Sequence, residues 1–108
     1  TSEQLLAYLK ANAEYISNFL KENIPEVKMR VPEATYLGWV DFRELDLKGQ
    51  KLGEFIINEA KLGLNEGASF GVEGQGFQRI NFGCPRSILE EAMQRLATAV
   101  HAKTHVQR

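Results

Sequence analysis

An arginine on a predicted β-strand is the residue of this sequence whose setting best suits binding chemistry. Along 77–83 (Phe-Gln-Arg-Ile-Asn-Phe-Gly), alternation puts Ile80 and Phe82 on one face and Arg79 and Asn81 on the other. A guanidinium is planar and permanently charged, and it can bind both oxygens of a carboxylate at once. Because a packed strand presents its side chains rigidly, Arg79 is a candidate for holding a carboxylate in one orientation.

An arginine on a strand more often has a simpler role, either as a solvated side chain or as the partner of a surface acid. Two features around Arg79 favour a binding role. Glycine-rich turns flank the strand and open space on its polar face, and a predicted helix begins just after Cys84 and Pro85. The residues alone therefore support an anion-binding site at Arg79 without identifying the anion.

Other residue types that carry out chemistry lack the partners they would need. His101 and His105 have a spacing that could bind a metal, but no third ligand is near them, so no metal site is predicted. Cys84 has no nearby base, and we expect a buried structural thiol. The glycines of 71–76 lead into a strand rather than a helix, which excludes a dinucleotide-binding loop. Arg79 remains the main candidate.

Composition excludes several classes of protein. The chain of 108 residues has a net charge of −1 and 44% hydrophobic residues, which is typical of one globular domain. It has no basic run of the kind that binds nucleic acid, and no apolar run of about 18 residues that would span a membrane. One cysteine fits a reducing compartment. We therefore expect a cytoplasmic protein that binds neither nucleic acid nor membranes.

Three predicted helices have apolar residues at intervals of three and four. They cover the ranges 5–23, 52–60 and 87–100. Thr1 with Gln4, or Ser2, is a candidate cap for the first helix, and Ser87-x-x-Glu90 is a capping box for the third. The residues from 101 onwards are predicted to form a polar, frayed tail.

Strand patterns alternate with these helices. They fall at 27–31, 35–42 and 77–83, with a short strand and a glycine-rich loop between 63 and 76. The order helix, two strands, helix, two strands, helix lacks a regular βαβ repeat. We therefore predict an α+β fold: a small, mostly antiparallel sheet with helices packed on one side. Tyr36 and Trp39, on the second strand, are expected to lie in the core.

Three blocks of sequence carry a family resemblance. They are Pro-Glu-Ala-Thr-Tyr-Leu-x-Trp-x-Asp-Phe-Arg at 32–43, Gly-Leu-Asn-x-Gly-x-x-Phe-Gly at 63–71, and Gly-Phe-x-Arg-Ile-Asn-Phe-x-Cys-Pro-Arg at 76–86. Together they resemble the C-terminal small domain of fold-type I pyridoxal-phosphate enzymes. Within that superfamily the chain most resembles the MalY/PatB group of cystathionine β-lyases, also called C-S lyases. Related aminotransferases share much of the pattern.

The resemblance implies a role for Arg79. In these enzymes the arginine of the Arg-Ile/Leu-Asn string binds the α-carboxylate of the amino-acid substrate, and here that position is Arg79. Holding the carboxylate orients the substrate and so selects the bond at Cα that breaks, while the cofactor supplies the electronics. The loop 65–74 would then lie near the substrate entrance, and Tyr36 is a further candidate for the same cleft.

The resemblance also implies that most of the enzyme lies outside these residues. The family's Schiff-base lysine sits in a Ser/Thr-rich string that this chain lacks. The residues that bind the pyridine nitrogen and the phosphate belong to the absent large domain. Residues 1–108 are therefore predicted to be a single C-terminal small domain, with no catalytic, cofactor-binding or metal-binding residue of its own. We expect this fragment to be inactive alone and to form no borohydride-stable pyridoxyl adduct.

For the full-length parent, the resemblance implies C-S β-lysis with pyridoxal 5′-phosphate. The substrate would be cystathionine or a cysteine conjugate, and the products a thiol, pyruvate and ammonia. An aminotransferase is the alternative within the enzyme class. The alternative outside it is a free-standing, non-catalytic module that binds a small anion or amino acid at Arg79. The implied partners are the amino-acid substrate, the chain's own large domain and a second copy in a homodimer.

Overall fold

The computed structural model describes residues 1–31, 36–62, 70–74 and 76–104. The order of elements matches the prediction. In chain order the elements are α1 (Ser2–Asn23), β1 (Lys28–Arg30), β2 (Leu37–Asp41), α2 (Leu52–Glu54), a π-helical turn (Phe55–Glu59), β3 (Phe70–Gly74), β4 (Phe77–Asn81) and α3 (Arg86–Thr104).

The strands form one antiparallel sheet in the order β1-β2-β4-β3. β2 and β4 are therefore the central strands. Trp39 on β2 lies opposite Arg30 on β1 and opposite Arg79 on β4, and Arg79 lies opposite Gly71 on β3. The predicted α+β class with an antiparallel sheet is confirmed.

The long helices α1 and α3 cover one face of this sheet. Val40, Ile80 and Phe82 belong to the same buried cluster as Ile16 of α1 and Leu89 of α3. Burial of apolar surface contributes roughly 25 cal/mol per Å², so this cluster is the main source of stability. The strand residues that alternate with the buried ones point to the other side, which we call the open face; its central row is formed by Arg30, Trp39 and Arg79.

Local sequence explains how α1 begins. The Thr1 hydroxyl accepts a hydrogen bond from the Gln4 backbone N–H at 3.1 Å, and the Gln4 side-chain oxygen accepts one from the Thr1 amino group at 3.0 Å. This is the reciprocal arrangement of a capping box, and it satisfies donors that a helix start leaves unpaired. Among the described residues, no helix is long and apolar enough to cross a membrane.

Both ends of α3 differ from the prediction. The helix begins at Arg86, so Ser87 lies inside the first turn, and the Pro85 carbonyl accepts the first hydrogen bonds. The predicted fraying is wrong for 101–104, which are helical. Tertiary contacts explain the extension, since a His101 ring nitrogen lies 2.8 Å from the Asn23 carbonyl oxygen. His105 lies outside the described residues.

The segment 70–74 is a strand where a glycine-rich loop was predicted. Its backbone pairs with β4, with an irregularity between Val72 and Gly74. Pairing with a neighbouring strand therefore outweighs the preference of glycine for turns. The short strand predicted nearer residue 63 falls on 63–69, which lie outside the described residues.

The second α-helix is shorter than predicted, and it continues into a wider, π-helical turn. One α-helical turn ends at Glu54, and the following residues form a π-helical turn in which the Ala60 N–H bonds to the Phe55 carbonyl. Phe55, Ile56 and Ala60 are all fully buried. A wider turn changes the angular spacing of side chains, and here it brings all three of these residues into the core.

The turn between β3 and β4 depends on a glycine in the left-handed region of backbone conformation. Gly76 has φ of +88°, and a Cβ at this position would lie 2.7 Å from the Arg43 Cγ. We expect Gly76→Ala to lower the free energy of unfolding by about 1–2 kcal/mol, because both backbone strain and crowding oppose the methyl group. Urea denaturation measures the change.

Gly53→Ala is the matched control for Gly76→Ala. Gly53 lies in α2, and no atom lies within 4 Å of an added Cβ. This substitution should be neutral or stabilise by up to about 1 kcal/mol, because alanine favours helix more than glycine does. Equal losses from the two substitutions would contradict the assignment of strain to Gly76.

Candidate functional site

Arg79 lies at the centre of β4, on the open face. Its backbone is held between β2 and β3, with Trp39 opposite on one side and Gly71 on the other. The neighbours Gln78 and Ile80 are buried, at 2% and 0% exposure, while Arg79 is exposed. The predicted alternation is confirmed, and the guanidinium extends from a strand that is fixed on both sides.

Trp39 of β2 and Tyr36, which precedes that strand, are not in the core, contrary to the prediction. Gly38 and Val40 are the buried residues of this strand, so the alternating Trp39 belongs to the open face and is only half-buried. Tyr36 is 51% exposed. Strand alternation decides this placement, because large side chains on a central strand are buried only if they face the helices.

The two predicted site residues have different neighbours. Arg79 has Trp39 as its cross-strand neighbour. Tyr36 lies at the end of β4: its carbonyl accepts the Phe82 N–H at 2.9 Å, and its Cβ lies 3.4 Å from the position of a Cβ at Gly83. The position opposite Arg79 is therefore occupied by Trp39 and not by Tyr36.

A buried polar network lies behind the end of β4, and the sequence reading missed it. Asn12 on α1 is fully buried. Its amide nitrogen donates to the carbonyls of Phe82 at 2.9 Å and Cys84 at 3.1 Å, and its amide oxygen accepts from the Arg86 Nε at 3.0 Å. These bonds attach α1 to the turn that follows β4. A polar residue inside an apolar helix stripe was the signal that could have revealed the network.

Two further side chains complete the network. The Tyr8 hydroxyl donates to the Cys84 carbonyl at 2.6 Å. The Arg86 guanidinium carbon lies 4.9 Å from the centre of the Tyr15 ring, a cation–π distance. The turn after β4 is therefore held by side chains from α1 and from the start of α3.

The cysteine of this turn is a structural residue. Cys84 is 8% exposed, as predicted for a buried thiol. Burial raises the pKa of the Cys84 thiol, because the thiolate is poorly solvated there. The thiol is therefore protonated at neutral pH, which makes it a poor nucleophile.

Ion pairs occupy the edge of the open face on one side of the central row. The Arg43 guanidinium donates two hydrogen bonds to the Asp41 carboxylate, at 3.0 and 2.9 Å, and its carbon lies 4.7 Å from the centre of the Phe77 ring. The side-chain hydrogen bonds from Arg43 lower the pKa of Asp41. Lys28 pairs with Glu44 at 3.3 Å. These cations are matched by acids of the chain itself.

The lysines of this chain all lie at least partly at the surface. A lysine that forms a Schiff base needs a desolvated or otherwise tuned pocket. None of the lysines in the described part of the chain is buried, and Lys48 and Lys103 pair with surface acids at 3.4 and 3.3 Å. Within that same part, no group of His, Cys, Asp and Glu side chains could hold a metal ion.

No family model matches the chain, but its sequence is similar to those of several known proteins. Protein MalY of Escherichia coli is 38% identical over 100 residues, which cover 93% of this chain and 26% of MalY. Cystathionine beta-lyase PatB of Bacillus subtilis is 33% identical over 98 residues, covering 91% of this chain and 25% of PatB. Other matches, one of them a solved structure at 46% identity, are named as aminotransferases.

A solved structure agrees with these relatives. Cystalysin from Treponema denticola, whose crystal structure contains pyridoxal 5′-phosphate, superposes with a TM-score of 0.71 at 36% identity over 91% of this chain and 25% of cystalysin. The chain spans about a quarter of the length of the curated relatives it matches. In sequence and in fold, this chain matches the C-terminal region of the MalY/PatB-type pyridoxal-phosphate C-S lyases and of class I aminotransferases.

Proposed function

We propose that this chain is the C-terminal domain of a pyridoxal-phosphate-dependent C-S β-lyase of the cystathionine β-lyase type. In this proposal Arg79 binds the α-carboxylate of the amino-acid substrate. The observation that carries the proposal is the position of Arg79: it is exposed on the open face, in the middle of a strand that is paired on both sides. The names of the relatives, among them Cystathionine beta-lyase PatB, support the reaction class.

The surroundings of Arg79 suit a carboxylate. A guanidinium binds a carboxylate through two parallel N–H···O bonds, which fix direction as well as distance. Trp39 supplies an apolar surface on one side, and Gly71 on the other has no side chain to occupy the space. A substrate held in this way loses its rotational freedom before reaction, which is where a positioning residue contributes to the rate.

In this proposal, the residues that hold the cofactor and carry out catalysis lie in other parts of the parent protein. Since the lysines of this chain do not fit cofactor attachment, pyridoxal phosphate would be held by the large domain, and the isolated chain would be inactive. Pyridoxal phosphate, once bound, supplies the electron sink for cleavage at Cβ. The contribution of this chain is to bind and orient the substrate, within a parent that we expect to be a homodimer.

The reaction of the full-length enzyme tests the proposal. Supplied with cystathionine and no keto acid, it should release pyruvate, ammonia and thiol, measured by coupling pyruvate to lactate dehydrogenase. Turnover only when an acceptor keto acid is added would overturn the lyase assignment in favour of an aminotransferase, the alternative that the matches named as aminotransferases support.

A non-catalytic module gives a different result. In that case no turnover is detected with or without a keto acid, and residues 1–108 alone bind an amino acid or a small carboxylate. Isothermal titration with the chain and with Arg79→Ala separates this outcome, because binding at Arg79 would be lost in the variant.

A further inference from the structure

We propose that Arg30 forms a second carboxylate subsite on the open face and selects substrates with a carboxylate at the far end of the side chain. This inference rests on the proposed role of Arg79. The substrate would lie across β2, with its α-carboxylate on Arg79, its chain over Trp39 and its distal carboxylate on Arg30.

The strand register places these three residues in one row. Arg30 is paired with Trp39, and Trp39 is paired with Arg79. Directly paired residues of antiparallel strands point to the same face. Exposure agrees with this, since both arginines are exposed and Trp39 is half-buried between them. The neighbouring Met29 points to the helix side, where its sulfur lies 2.9 Å from the position of a Cβ at Gly38.

The spacing of the two arginines matches a substrate of this kind. Neighbouring strands are about 4.8 Å apart, so the Cα atoms of Arg30 and Arg79 are separated by roughly 10 Å. The two carboxyl carbons of an extended thioether diacid such as cystathionine are roughly 8–9 Å apart, at about 1.2 Å per bond. The side chains of Arg30 and Arg79 are long and flexible enough to make up the difference between the two separations.

The chemistry of the row is complementary to a diacid with an apolar middle. The guanidinium at each end of the row can bind one carboxylate, and the indole between them offers an apolar surface to methylene groups and sulfur. Two cations near Arg30 have acidic partners in the chain: Lys28 pairs with Glu44, and Arg43 pairs with Asp41. Within the part of the chain that the structure describes, Arg30 has no ion pair of this kind.

Arg30→Gln in the full-length enzyme tests the subsite with two substrates. One is cystathionine, which carries the distal carboxylate, and the other is a cysteine conjugate with an uncharged S-alkyl group. We expect KM for cystathionine to rise roughly tenfold or more, because a charged partner of the substrate is removed, while KM for the S-alkyl substrate changes by less than about twofold. Unchanged turnover of the S-alkyl substrate also shows that the variant is folded.

Lys28→Gln is the matched control. Lys28 lies on the same strand, is exposed, and pairs with Glu44. Lys28→Gln removes the same charge from the same strand and should leave the ratio of the two KM values unchanged. A similar change in both variants would mean a general electrostatic effect and would overturn the subsite. An Arg30→Gln enzyme that treats both substrates like the wild type would also overturn it.

Failure of this inference can be told apart from failure of the proposed function. Arg79→Ala should impair both substrates, since each carries an α-carboxylate. If Arg79→Ala impairs both and Arg30→Gln leaves the ratio unchanged, only the second subsite is wrong. If Arg79→Ala impairs neither, the proposed function of the open face is itself wrong.

Discussion

Replacing Arg79 with alanine should lower kcat/KM of the full-length enzyme by a factor of roughly 30 to several thousand. This corresponds to about 2–5 kcal/mol of lost transition-state binding, the range for removing one partner of a desolvated, hydrogen-bonded charge pair. The physical reason is that β4 is paired with a strand on each side, so that Arg79 presents its guanidinium from a fixed backbone. Steady-state kinetics with an amino-acid substrate measures the loss.

Two further variants make this result interpretable. Arg79→Lys keeps the charge but loses the two-pronged geometry, so its loss should fall between those of wild type and alanine. Arg95→Ala removes an exposed arginine that pairs with Glu91 on α3, away from the open face, and should leave kcat/KM nearly unchanged. A loss below tenfold in Arg79→Ala would remove Arg79 from the carboxylate role.

Replacing Asn12 with leucine should destabilise the protein by about 2–4 kcal/mol. The side chain is fully buried and forms three hydrogen bonds, to the carbonyls of Phe82 and Cys84 and from Arg86. Leucine would leave the Phe82 carbonyl and the Arg86 Nε without these partners in a site that water does not reach easily, and an unsatisfied buried polar group costs about 1–3 kcal/mol. Equilibrium unfolding in urea measures the change.

The same substitution on the other side of α1 is the control for Asn12. Asn18 is exposed on this helix, and Asn18→Leu should change the free energy of unfolding by less than about 0.5 kcal/mol. Asn12→Asp keeps the size of the side chain and its acceptor for Arg86 but turns a carboxylate towards two carbonyl oxygens. It should therefore also be destabilising. If Asn12→Leu behaves like Asn18→Leu, the network contributes nothing to stability.

Local spacing was sufficient to predict much of this protein. The order of helices and strands, the antiparallel α+β class, the capped start of α1 and the opposite orientation of Arg79 and Ile80 all follow from periodicity over a few residues, and the structure agrees. Such patterns are readable because a helix or strand repeats its geometry along the chain. The short blocks around Arg79 also carried the family resemblance.

Contacts between distant residues could not be read in the same way. Asn12 meets Phe82 and Arg86 across 70 and 74 positions of sequence, so its network exists only once α1 has packed against the end of β4. The strand at 70–74 is glycine-rich and becomes a strand because it pairs with β4. Trp39 was expected in the core as an aromatic residue on a predicted central strand, yet the alternation of side chains along β2 places it on the open face.

The row of Arg30, Trp39 and Arg79 illustrates the difference most clearly. These residues lie on three strands, Arg79 is distant in sequence from the other two, and no local pattern relates them. Each strand was predictable from its own residues, but the register between strands is set by which side chains the helices bury. A site made from several strands therefore appears only in the folded sheet, while the chemistry of each of its members was present in the sequence.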